Sequence, residues 1–256
     1  MNKWATGKRQ IIAHKGNSSA FPENTRASIL SAIELGCDVV EVDVSTTKDG
    51  YSVVLHGPTL GEMTSGVGKI SETNWEDIKP LKVKSLGEDF STESVPLVEE
   101  LLKEFSSSTK WNLDLKSGLP NDRLVATINQ LSIQGKVIFS GLMVKDVKKF
   151  VNAFPELNVL VNLSRVDRVL LGLRFFDKIY FQFRFGFLKS LPNVIGVNTN
   201  YRFLTERIIR VIHGFDLEVW VFTVDEEAVM NSLFAIKVNS ITTNRPLELI
   251  RTFESE

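Results

Sequence analysis

Short apolar runs alternate with amphipathic segments along most of this chain. Runs such as Val159–Leu163, bounded by polar and turn-forming residues, are typical of buried strands. Apolar residues spaced three and four apart are typical of helices. From residue 97 onward the two patterns follow each other in turn. This alternation predicts a parallel β-sheet with helices on its outer faces.

The predicted elements suffice to close a barrel. Strands are predicted at Trp111–Leu115, Val137–Phe139, Val159–Leu163, Val194–Val197, Val219–Val224 and Ser240–Thr243. Helices are predicted at Leu97–Phe105, Arg123–Leu131, Val144–Phe154, from Thr205 to about Gly214, Glu226–Phe234 and Leu247–Phe253. With one strand before His14 and another near Asp43, the total is eight, the number that closes a (β/α)8 TIM barrel. The length of 256 residues suits one such domain over 1–256.

Candidate chemistry is concentrated near the N-terminus. His14 and His56 each follow a short apolar run, and a third run leads into Glu41 and Asp43. Residues two apart on a strand share a face, so the two carboxylates lie side by side. A cation relieves their repulsion, and hard divalent ions such as Mg²⁺ or Ca²⁺ prefer oxygen ligands. We therefore predict that strand ends bring histidines and metal-binding carboxylates to one edge of the sheet.

The sequence leaves two local arrangements open. The segments around Asp43 and His56 form either neighbouring parts of one barrel strand or a hairpin that departs from the barrel. Either Asn24 or Thr25 can cap the helix that follows the first strand. From about 58 to 96 the apolar periodicity weakens, apart from a short helical patch at Asn74–Ile78. This range is either a long loop or a segment with its own structure, since loops of this length usually carry function or structure of their own.

Composition narrows the classes of function. A net charge of −1 gives no electrostatic footprint for nucleic acid. The single cysteine, Cys37, excludes an intramolecular disulfide and is expected to be a small buried residue. No secretory signal is visible, and no apolar run approaches the ~20 residues of a membrane span, so the sequence predicts a cytoplasmic protein. The oligomeric state is left open.

Five short motifs resemble those of the glycerophosphodiester phosphodiesterases. In chain order they are His14-Lys15-Gly16, Pro22-Glu23-Asn24-Thr25, Glu41-Val42-Asp43, Lys48-Asp49-Gly50 and His56-Gly57-Pro58-Thr59-Leu60. The family usually shows H-R-G, P-E-N-T, E-x-D, K-D-G and H-D-x-x-L in this order. The resemblance implies a TIM barrel with a small insertion after its second strand and one divalent metal. It also implies hydrolysis of a small glycerophosphodiester to an alcohol and glycerol phosphate, within glycerol and lipid metabolism.

The resemblance assigns roles to the reactive residues. His14 and His56 would exchange protons with the attacking and leaving oxygens, and which of them is the acid stays open. The segment Trp111–Lys116 resembles the family's N-x-E-x-K strand. Asp114 would therefore complete a metal site with Glu41 and Asp43. Asp114 is one methylene shorter than the usual Glu, so the metal would sit lower or accept a water.

The same resemblance implies a set of substrate contacts. Lys15 and Lys116 would lie near the phosphate. Asn198 stands at the end of a strand whose polar end residue faces the site in the family. Val219–Val224 resembles the family's V-x-V-W-T-V strand, and either Trp220 or Phe222 would form a wall of the pocket.

Three positions depart from the family pattern. Lys15 stands where arginine is usual, which keeps the charge but loses the bidentate fork for phosphate. Gly57 and Asn244 each stand where aspartate is usual. None of the three removes a proposed metal ligand or proton carrier. The departures bear on rate and substrate choice more than on the class of reaction.

An aromatic stretch later in the chain has two interpretations. Residues 175–187 hold seven aromatic rings among thirteen residues, with Lys178 and Arg184 between them. The stretch forms either a layer that covers the barrel or a surface for lipid chains or a membrane face. His213, near the end of a predicted helix, is expected to be a surface histidine at the negative end of the helix dipole.

Two alternatives to hydrolysis of a deacylated diester remain from the sequence. Phospholipase D-type lyases resemble the same His, Glu-x-Asp, His arrangement and release a cyclic phosphate. A lysophospholipase D would act on lipid phosphodiesters instead of deacylated ones. The departures at Lys15, Gly57 and Asn244 also leave room for a barrel that binds phosphodiesters with little activity.

Overall fold

The computed structural model describes residues 9–85, 89–172 and 177–254. Within them the strands are β1 (Gln10–His14), β2 (Val39–Thr46), β3 (Ser52–Val54), β4 (Lys82–Lys84), β5 (Phe90–Ser94), β6 (Lys110–Leu115), β7 (Val137–Met143), β8 (Asn158–Asn162), β9 (Val194–Asn200), β10 (Glu218–Phe222) and β11 (Ser240–Thr243). The helices are α1 (Arg26–Glu34), α2 (Leu60–Met63), α3 (Trp75–Ile78), α4 (Val98–Phe105), α5 (Asp122–Gln130), α6 (Val144–Ala153), α7 (Arg165–Gly172), α8 (Asp177–Lys189), α9 (Glu206–His213), α10 (Glu227–Ala235) and α11 (Pro246–Glu254). Short 3-10 turns lie at Ile70–Glu72, Gln134–Lys136 and Tyr201–Phe203.

Eight parallel strands close into a barrel. Their hydrogen-bonded order is β1-β11-β10-β9-β8-β7-β6-β2, and pairing of β1 with β2 completes the ring. Helices connect successive strands on the outside, as the alternation of patterns requires. The predicted (β/α)8 TIM barrel is confirmed.

The lower part of the barrel interior is a packed apolar layer. Side chains from six strands meet there and are almost entirely buried: Ile12, Val39, Ile138, Leu160, Ile195 and Trp220. Neighbouring residues on the same strands point outward and pack under the helices, among them Val40, Phe139 and Val161. This division follows from the period of two along a strand. We call the inner set the lower layer.

The segments around Asp43 and His56 form a hairpin, which decides the first open arrangement. β3 runs antiparallel to β2, with Ser52 opposite Thr46 and Val54 opposite Val44. The Leu55 N–H donates to the Asp43 carbonyl at 3.1 Å. His56 therefore follows an antiparallel strand and not a parallel barrel strand, and it returns to the level of Asp43 on a chain that runs the opposite way.

An insertion with its own core follows the hairpin. It contains α2, α3 and the small antiparallel sheet of β4 and β5. Its apolar side chains form a cluster separate from the main core: Val53, Leu55, Leu60, Ile70, Trp75, Ile78, Val83, Val95 and Leu97. The Trp75 N–H donates to Asp49 Oδ1 at 3.0 Å. The Lys48-Asp49-Gly50 turn and the shared core thus tie the insertion to the hairpin.

Thr25, not Asn24, caps α1. Its hydroxyl accepts from the Ser28 N–H at 3.2 Å, and the Ser28 hydroxyl accepts from the Thr25 N–H at 3.2 Å. This is a capping box in which each residue satisfies a free backbone donor of the other. Asn24 has a left-handed φ of 60° and directs its side chain elsewhere.

The aromatic stretch divides between two environments. Phe175 and Phe176 lie outside the described residues. On α8, Phe181 and Phe185 are 4% and 0% exposed and stack with ring centroids 5.5 Å apart. Phe183 and Phe187 point the other way and are 79% and 36% exposed. The described part of the stretch is therefore both core and surface.

Two further expectations concern single residues. Cys37 is buried, and burial raises the pKa of its thiol to about 12. His213 ends α9 and is half-buried, with Nε2 2.9 Å from Asn239 Oδ1. Over residues 9–85, 89–172 and 177–254, no helix combines the length and the apolar character that crossing a membrane requires.

Candidate active site

A polar layer lies directly above the lower layer, at the C-terminal ends of the strands. Its side chains line a cavity of about 180 Å³: His14, Glu41, Asn112, Asp114, Lys116, Ser140, Asn162, Asn198, Phe222 and Thr242. We call this set the upper layer. The C-terminal face is where the loops and strand ends of TIM barrels build their sites.

Three carboxylates converge at this face. Oxygen atoms of Glu41, Asp43 and Asp114 all lie within 4.8 Å of one another. The parallel pairing of β2 with β6 produces this cluster, because it places Asp114 directly beside Asp43. Glu41 and Asp43 are buried, at 4% and 1% exposure. A compact set of hard oxygen donors fits Mg²⁺ or Ca²⁺, so the residues suit the metal that the sequence predicts.

Two lysines approach the carboxylates. Lys116 Nζ lies 2.8 Å from Asp43 Oδ1 and also contacts Asp114. Lys15 Nζ lies 2.9 Å from Glu23 Oε1 and 3.7 Å from Asp43 Oδ2. The two cations partly neutralise the acidic cluster, and both are within reach of an anion bound beside it.

The ionisation of these groups reflects burial and crowding of charge. Burial, and then the neighbouring Asp43 and Asp114 charges, raise the pKa of Glu41 well above its ordinary value. Burial also acts to raise the pKa of Asp43, but the Lys116 and Lys15 ammonium groups outweigh it, and the pKa falls. Burial opposes the charge on Lys116, yet the adjacent carboxylates raise its pKa above the ordinary value. The cluster therefore favours added positive charge near Glu41.

Backbone and amide groups hold the two β2 carboxylates. The Lys15 N–H donates to Glu41 Oε2 at 2.8 Å. The Asn24 amide donates to Asp43 Oδ2 at 2.8 Å, and Asn24 Oδ1 accepts from the Asp43 N–H at 3.1 Å. Lys15 and Asn24 both have left-handed φ angles, which non-glycine residues seldom adopt and which occur often at functional sites. The positioning role of Asn24 was not predicted, although it lies within the Pro22–Thr25 motif.

His14 is held at its Nδ1 atom. This nitrogen lies 2.7 Å from Asn244 Oδ1, while Nε2 lies 3.9 Å from Glu41 Oε2. Burial lowers the pKa of His14. The amide of Asn244 in turn contacts Asp225, which follows β10. Asp225 was not predicted from the sequence. It could have been found as an acidic residue just beyond the C-terminal end of a barrel strand.

His56 faces a neighbouring cavity of about 600 Å³ that is lined by the hairpin and the insertion. Lys116 lines both cavities, so the cavity of His14 and the cavity of His56 share this lysine. Gly57 has a φ of 92°, and a Cβ placed there would lie 2.3 Å from Glu62 Oε2. The Glu62 carboxylate thus occupies the space beside the position where the family usually has aspartate.

The predicted substrate contacts separate in the structure. Asn198 and Phe222 line the smaller cavity. Trp220 does not reach it, which corrects the prediction for this ring, because its side chain is 0% exposed within the lower layer. Its indole N–H donates to Glu218 at 2.7 Å. Asn112 Oδ1 and Asn198 Oδ1 are buried and have no hydrogen-bond partner among the described residues.

Ser140 and Asn162 belong to the site but were not predicted. Both line the cavity: Asn162 is the last residue of β8, and Ser140 lies within β7, directly after the apolar segment Val137–Phe139. Ser140 Oγ donates to Asp114 Oδ1 at 2.6 Å, and Asn162 Oδ1 accepts from the Gly141 N–H at 3.3 Å. Polar residues directly after short apolar runs were the available signal.

Comparison with known proteins identifies the family. The sequence model of the glycerophosphoryl diester phosphodiesterase family matches residues 14–248. The chain is 31% identical over 255 residues to the glycerophosphodiester phosphodiesterase of Caldanaerobacter subterraneus subsp. tengcongensis, covering 95% of this chain and 97% of that protein. The chain belongs to the glycerophosphodiester phosphodiesterase family. As a member it is a hydrolase that acts on glycerophosphodiesters.

Solved structures of phosphodiesterases share the fold. The glycerophosphodiester phosphodiesterase of Agrobacterium tumefaciens has a TM-score of 0.77 at 21% identity, covering 95% of this chain and 99% of that chain. A phosphodiesterase of Oleispira antarctica, in complex with the product sn-glycerol-3-phosphate, has a TM-score of 0.75 at 23% identity, covering 96% of each chain. At these identities the likeness supports the barrel architecture of the glycerophosphodiester phosphodiesterases.

Proposed function

We propose that this phosphodiesterase cleaves its substrate by acid–base catalysis with His14 and His56, assisted by one divalent metal. The observation that carries the proposal is the convergence of Glu41, Asp43 and Asp114 beside Lys116, a residue that lines both the cavity of His14 and the cavity of His56. Imidazole exchanges protons near neutral pH and suits both transfers that cleavage needs.

The carboxylates Glu41, Asp43 and Asp114 would hold the metal, as Mg²⁺ or Ca²⁺. When bound, it supplies a positive charge that offsets the charge of the phosphate and polarises its oxygens. The raised pKa of Glu41 supports this assignment. Glu41 is buried beside two other acids, and a cation would offset the repulsion between their charges. Lys116, which contacts Asp43, would face the phosphate from beside the same cluster.

The remaining contacts would orient the substrate. Lys15 and Lys116 hold ammonium groups beside Asp43, where they would pair with charged phosphate oxygens. Asn112 Oδ1 and Asn198 Oδ1 are buried acceptors lining the cavity, and they would accept from hydroxyl groups of the glycerol moiety. The Phe222 ring forms an apolar wall of the same cavity.

Calorimetric titration with Mg²⁺ and Ca²⁺ tests the metal site. We expect one ion per chain in the wild type and loss of binding in the Glu41→Ala/Asp43→Ala variant. A Glu34→Ala/Asp216→Ala variant is the matched control, since it removes two exposed acids and is expected to bind like the wild type. Equal affinity in wild type and Glu41→Ala/Asp43→Ala would place the metal elsewhere.

Phosphorus NMR of the products tests the reaction itself. With glycerophosphocholine and the metal, hydrolysis gives glycerol phosphate, whereas the lyase alternative gives a cyclic phosphate. We expect glycerol phosphate as the final product. A cyclic phosphate that persists would show that the enzyme is a lyase and not a hydrolase. No turnover with either metal would favour a barrel that binds phosphodiesters without cleaving them.

A second candidate substrate is a phosphodiester that carries one acyl chain. A groove of about 730 Å³ is lined mainly by apolar groups, including Met143, Val144, Phe183 and Phe187. Neighbouring segments of the chain line the groove and the smaller cavity: Met143 is three residues after Ser140, and the groove-lining Ser164 is two residues after Asn162. This groove would accept the acyl chain of a lysophospholipid.

The cationic rim of the groove supports the same candidate. Lys145 and Lys148 line the groove and are exposed, so they would also attract anionic lipid surfaces. Residues 177–187 of the aromatic stretch include the exposed rings that a lipid chain would contact.

A chain-length series tests the acyl candidate. We expect KM to fall as monomeric lysophosphocholines lengthen, since each buried methylene contributes about 0.8 kcal/mol. Phe183→Ser/Phe187→Ser is expected to abolish the trend while keeping activity on glycerophosphocholine. Val67→Ser, which removes an apolar side chain that is 91% exposed on the insertion, is the control. A flat series in the wild type would leave the deacylated diester as substrate.

A further inference from the structure

The last barrel strand ends in an amide where the family usually has a carboxylate. Asn244 follows β11 and presents its side chain to Nδ1 of His14 at 2.7 Å. An amide is two-sided, because its oxygen only accepts and its nitrogen only donates. By itself Asn244 can therefore turn either end towards the imidazole. A carboxylate at this position would present an acceptor in both orientations.

Asp225 removes this ambiguity. Its Oδ2 lies 2.7 Å from Asn244 Nδ2, and its Oδ1 accepts from the Asn244 backbone N–H at 2.8 Å and from the Thr243 hydroxyl at 3.0 Å. The reversed amide would bring two acceptor oxygens together at the same 2.7 Å separation. Since the Asn244 nitrogen is held by Asp225, its oxygen has to face His14.

This orientation fixes the tautomer of neutral His14. Asn244 Oδ1 can only accept, so Nδ1 of His14 has to carry the proton. Nε2 is then unprotonated, and it points towards the carboxylate cluster, 3.9 Å from Glu41 Oε2. We propose that Asp225 is a positioning residue that acts through Asn244 to hold His14 with Nε2 free to accept a proton. The inference rests on the proposed function and assigns His14 as its base.

The arrangement also relocates a charge. The family carboxylate missing at Asn244 is supplied by Asp225, one hydrogen bond further from the imidazole. Aspartate and asparagine have the same shape. Exchanging them between positions 225 and 244 therefore moves the carboxylate next to His14 and keeps every hydrogen bond between the two side chains. After the exchange, the amide at position 225 would accept from the backbone N–H of residue 244 and donate to the carboxylate at position 244. That carboxylate would in turn accept from His14.

Three variants test the positioning role of Asp225: Asp225→Asn, Asn244→Asp and the double exchange Asp225→Asn/Asn244→Asp. In Asp225→Asn two amide nitrogens oppose each other, so Asn244 turns and offers His14 a donor. In Asn244→Asp two carboxylates face each other at the present 2.7 Å separation. We expect each single variant to lower kcat roughly 10- to 100-fold, the range known for loss of a residue that orients a metal-ligating histidine, and to leave KM nearly unchanged. The double exchange is expected to restore kcat.

A second readout does not depend on turnover. Long-range proton–nitrogen NMR of the metal-free protein reports which ring nitrogen of neutral His14 carries the proton, with the His14 signal assigned by its loss in His14→Ala. We expect the Nδ1–H form in the wild type and in the double exchange, and the Nε2–H form in Asp225→Asn. Asp216→Asn, an exposed aspartate that pairs with Lys189, is the matched control and is expected to keep the wild-type form.

The outcomes separate the two proposals. An Nδ1–H tautomer and wild-type kcat in Asp225→Asn would overturn the positioning role. A double exchange that is less active than both single variants would overturn it as well. Lack of diesterase activity in the wild type would defeat the proposed function, while the NMR spectra would still decide whether Asp225 sets the tautomer.

Discussion

The two layers of side chains inside the barrel differ in chemistry, although the same strands carry them. On five strands a step of two residues leads from one layer to the other: Ile12 to His14, Val39 to Glu41, Ile138 to Ser140, Leu160 to Asn162 and Trp220 to Phe222. Each large apolar side chain of the lower layer gains about 1.5–3 kcal/mol from burial. In the upper layer, buried acids crowd together, and two amide oxygens find no partner within residues 9–85, 89–172 and 177–254.

The upper layer is where this barrel gives up stability for chemistry. An unsatisfied buried polar group costs about 1–3 kcal/mol, and Asn112 and Asn198 each contribute such a group within the described part of the chain. The packed layer directly beneath offsets such costs and fixes the strand ends on which the polar groups stand. Substitutions in the upper layer should therefore affect turnover, and those in the lower layer should affect folding.

The largest expected effect is on turnover, from the upper layer. His14→Ala should reduce kcat by roughly 10²–10⁴-fold, the usual contribution of a positioned proton carrier. Its free energy of unfolding should change little, because His14 is half-buried at a strand end. Steady-state kinetics and denaturant unfolding measure the two quantities. The control is His213→Ala, and a His14→Ala enzyme with near-wild-type kcat would contradict the mechanism.

The matching change in the lower layer should act on stability. Trp220→Ala should lower the free energy of unfolding by about 3–5 kcal/mol, since it removes a fully buried ring. Phe222→Ala, two residues further on, should cost less stability and raise KM, because that ring is half-buried beside the cavity. Denaturant unfolding of both variants makes the comparison. Equal losses of stability would mean that the two layers are not energetically distinct.

A smaller effect concerns the pH dependence of the metal-free protein. Folding raises the pKa of Glu41, so its stabilising contribution is complete below the ordinary glutamate pKa of about 4.3 and is lost as pH rises through the folded value. Glu41→Gln should therefore be more stable than the wild type at neutral pH without metal. Unfolding across pH checks this, with the exposed Glu34→Gln as control. Parallel pH profiles for Glu41→Gln and wild type would contradict it.

The smallest expected effect is at Lys15. Lys15→Arg keeps the positive charge beside Asp43 and gains a fork that can pair two phosphate oxygens, so kcat/KM should change less than about tenfold and can rise. Lys15→Met, which removes the charge, should lower kcat/KM further than Lys15→Arg does. Steady-state kinetics with glycerophosphocholine compares the two variants. A loss of about tenfold or more in Lys15→Arg would indicate that the ammonium group has its own role, for example in its contact with Glu23.

At Gly57 and Asn244, where the family usually has aspartate, another acidic residue lies close by. Beside Gly57 the carboxylate of Glu62 fills the space that a Cβ would need. Beside Asn244 the carboxylate of Asp225 holds the amide. In both places an acid from elsewhere in the sequence lies next to the altered position, so the local charge is retained by other residues.

Local patterns in the sequence were enough to predict the barrel and the main reactive groups. Periods of two and of three to four are properties of short segments, so the order of strands and helices followed from them, and eight strands imply closure. The Glu41–Asp43 spacing placed two carboxylates on one face because side chains on a strand alternate. The identities of His14 and His56 as candidates came from short motifs whose residues are adjacent in the chain.

Contacts between distant residues, in contrast, depend on the folded barrel. Asn24 and Asp43 are 19 residues apart, as are Asp225 and Asn244, and His14 meets Asn244 across 230 residues. Strand pairing and barrel closure set these contacts, because they bring together segments that are far apart in the chain. The same reason explains why Trp220 is core while Phe222 lines the cavity, and why α8 buries Phe185 but exposes Phe183. Which face of an element is covered depends on what packs against it, and that is fixed when the whole chain folds.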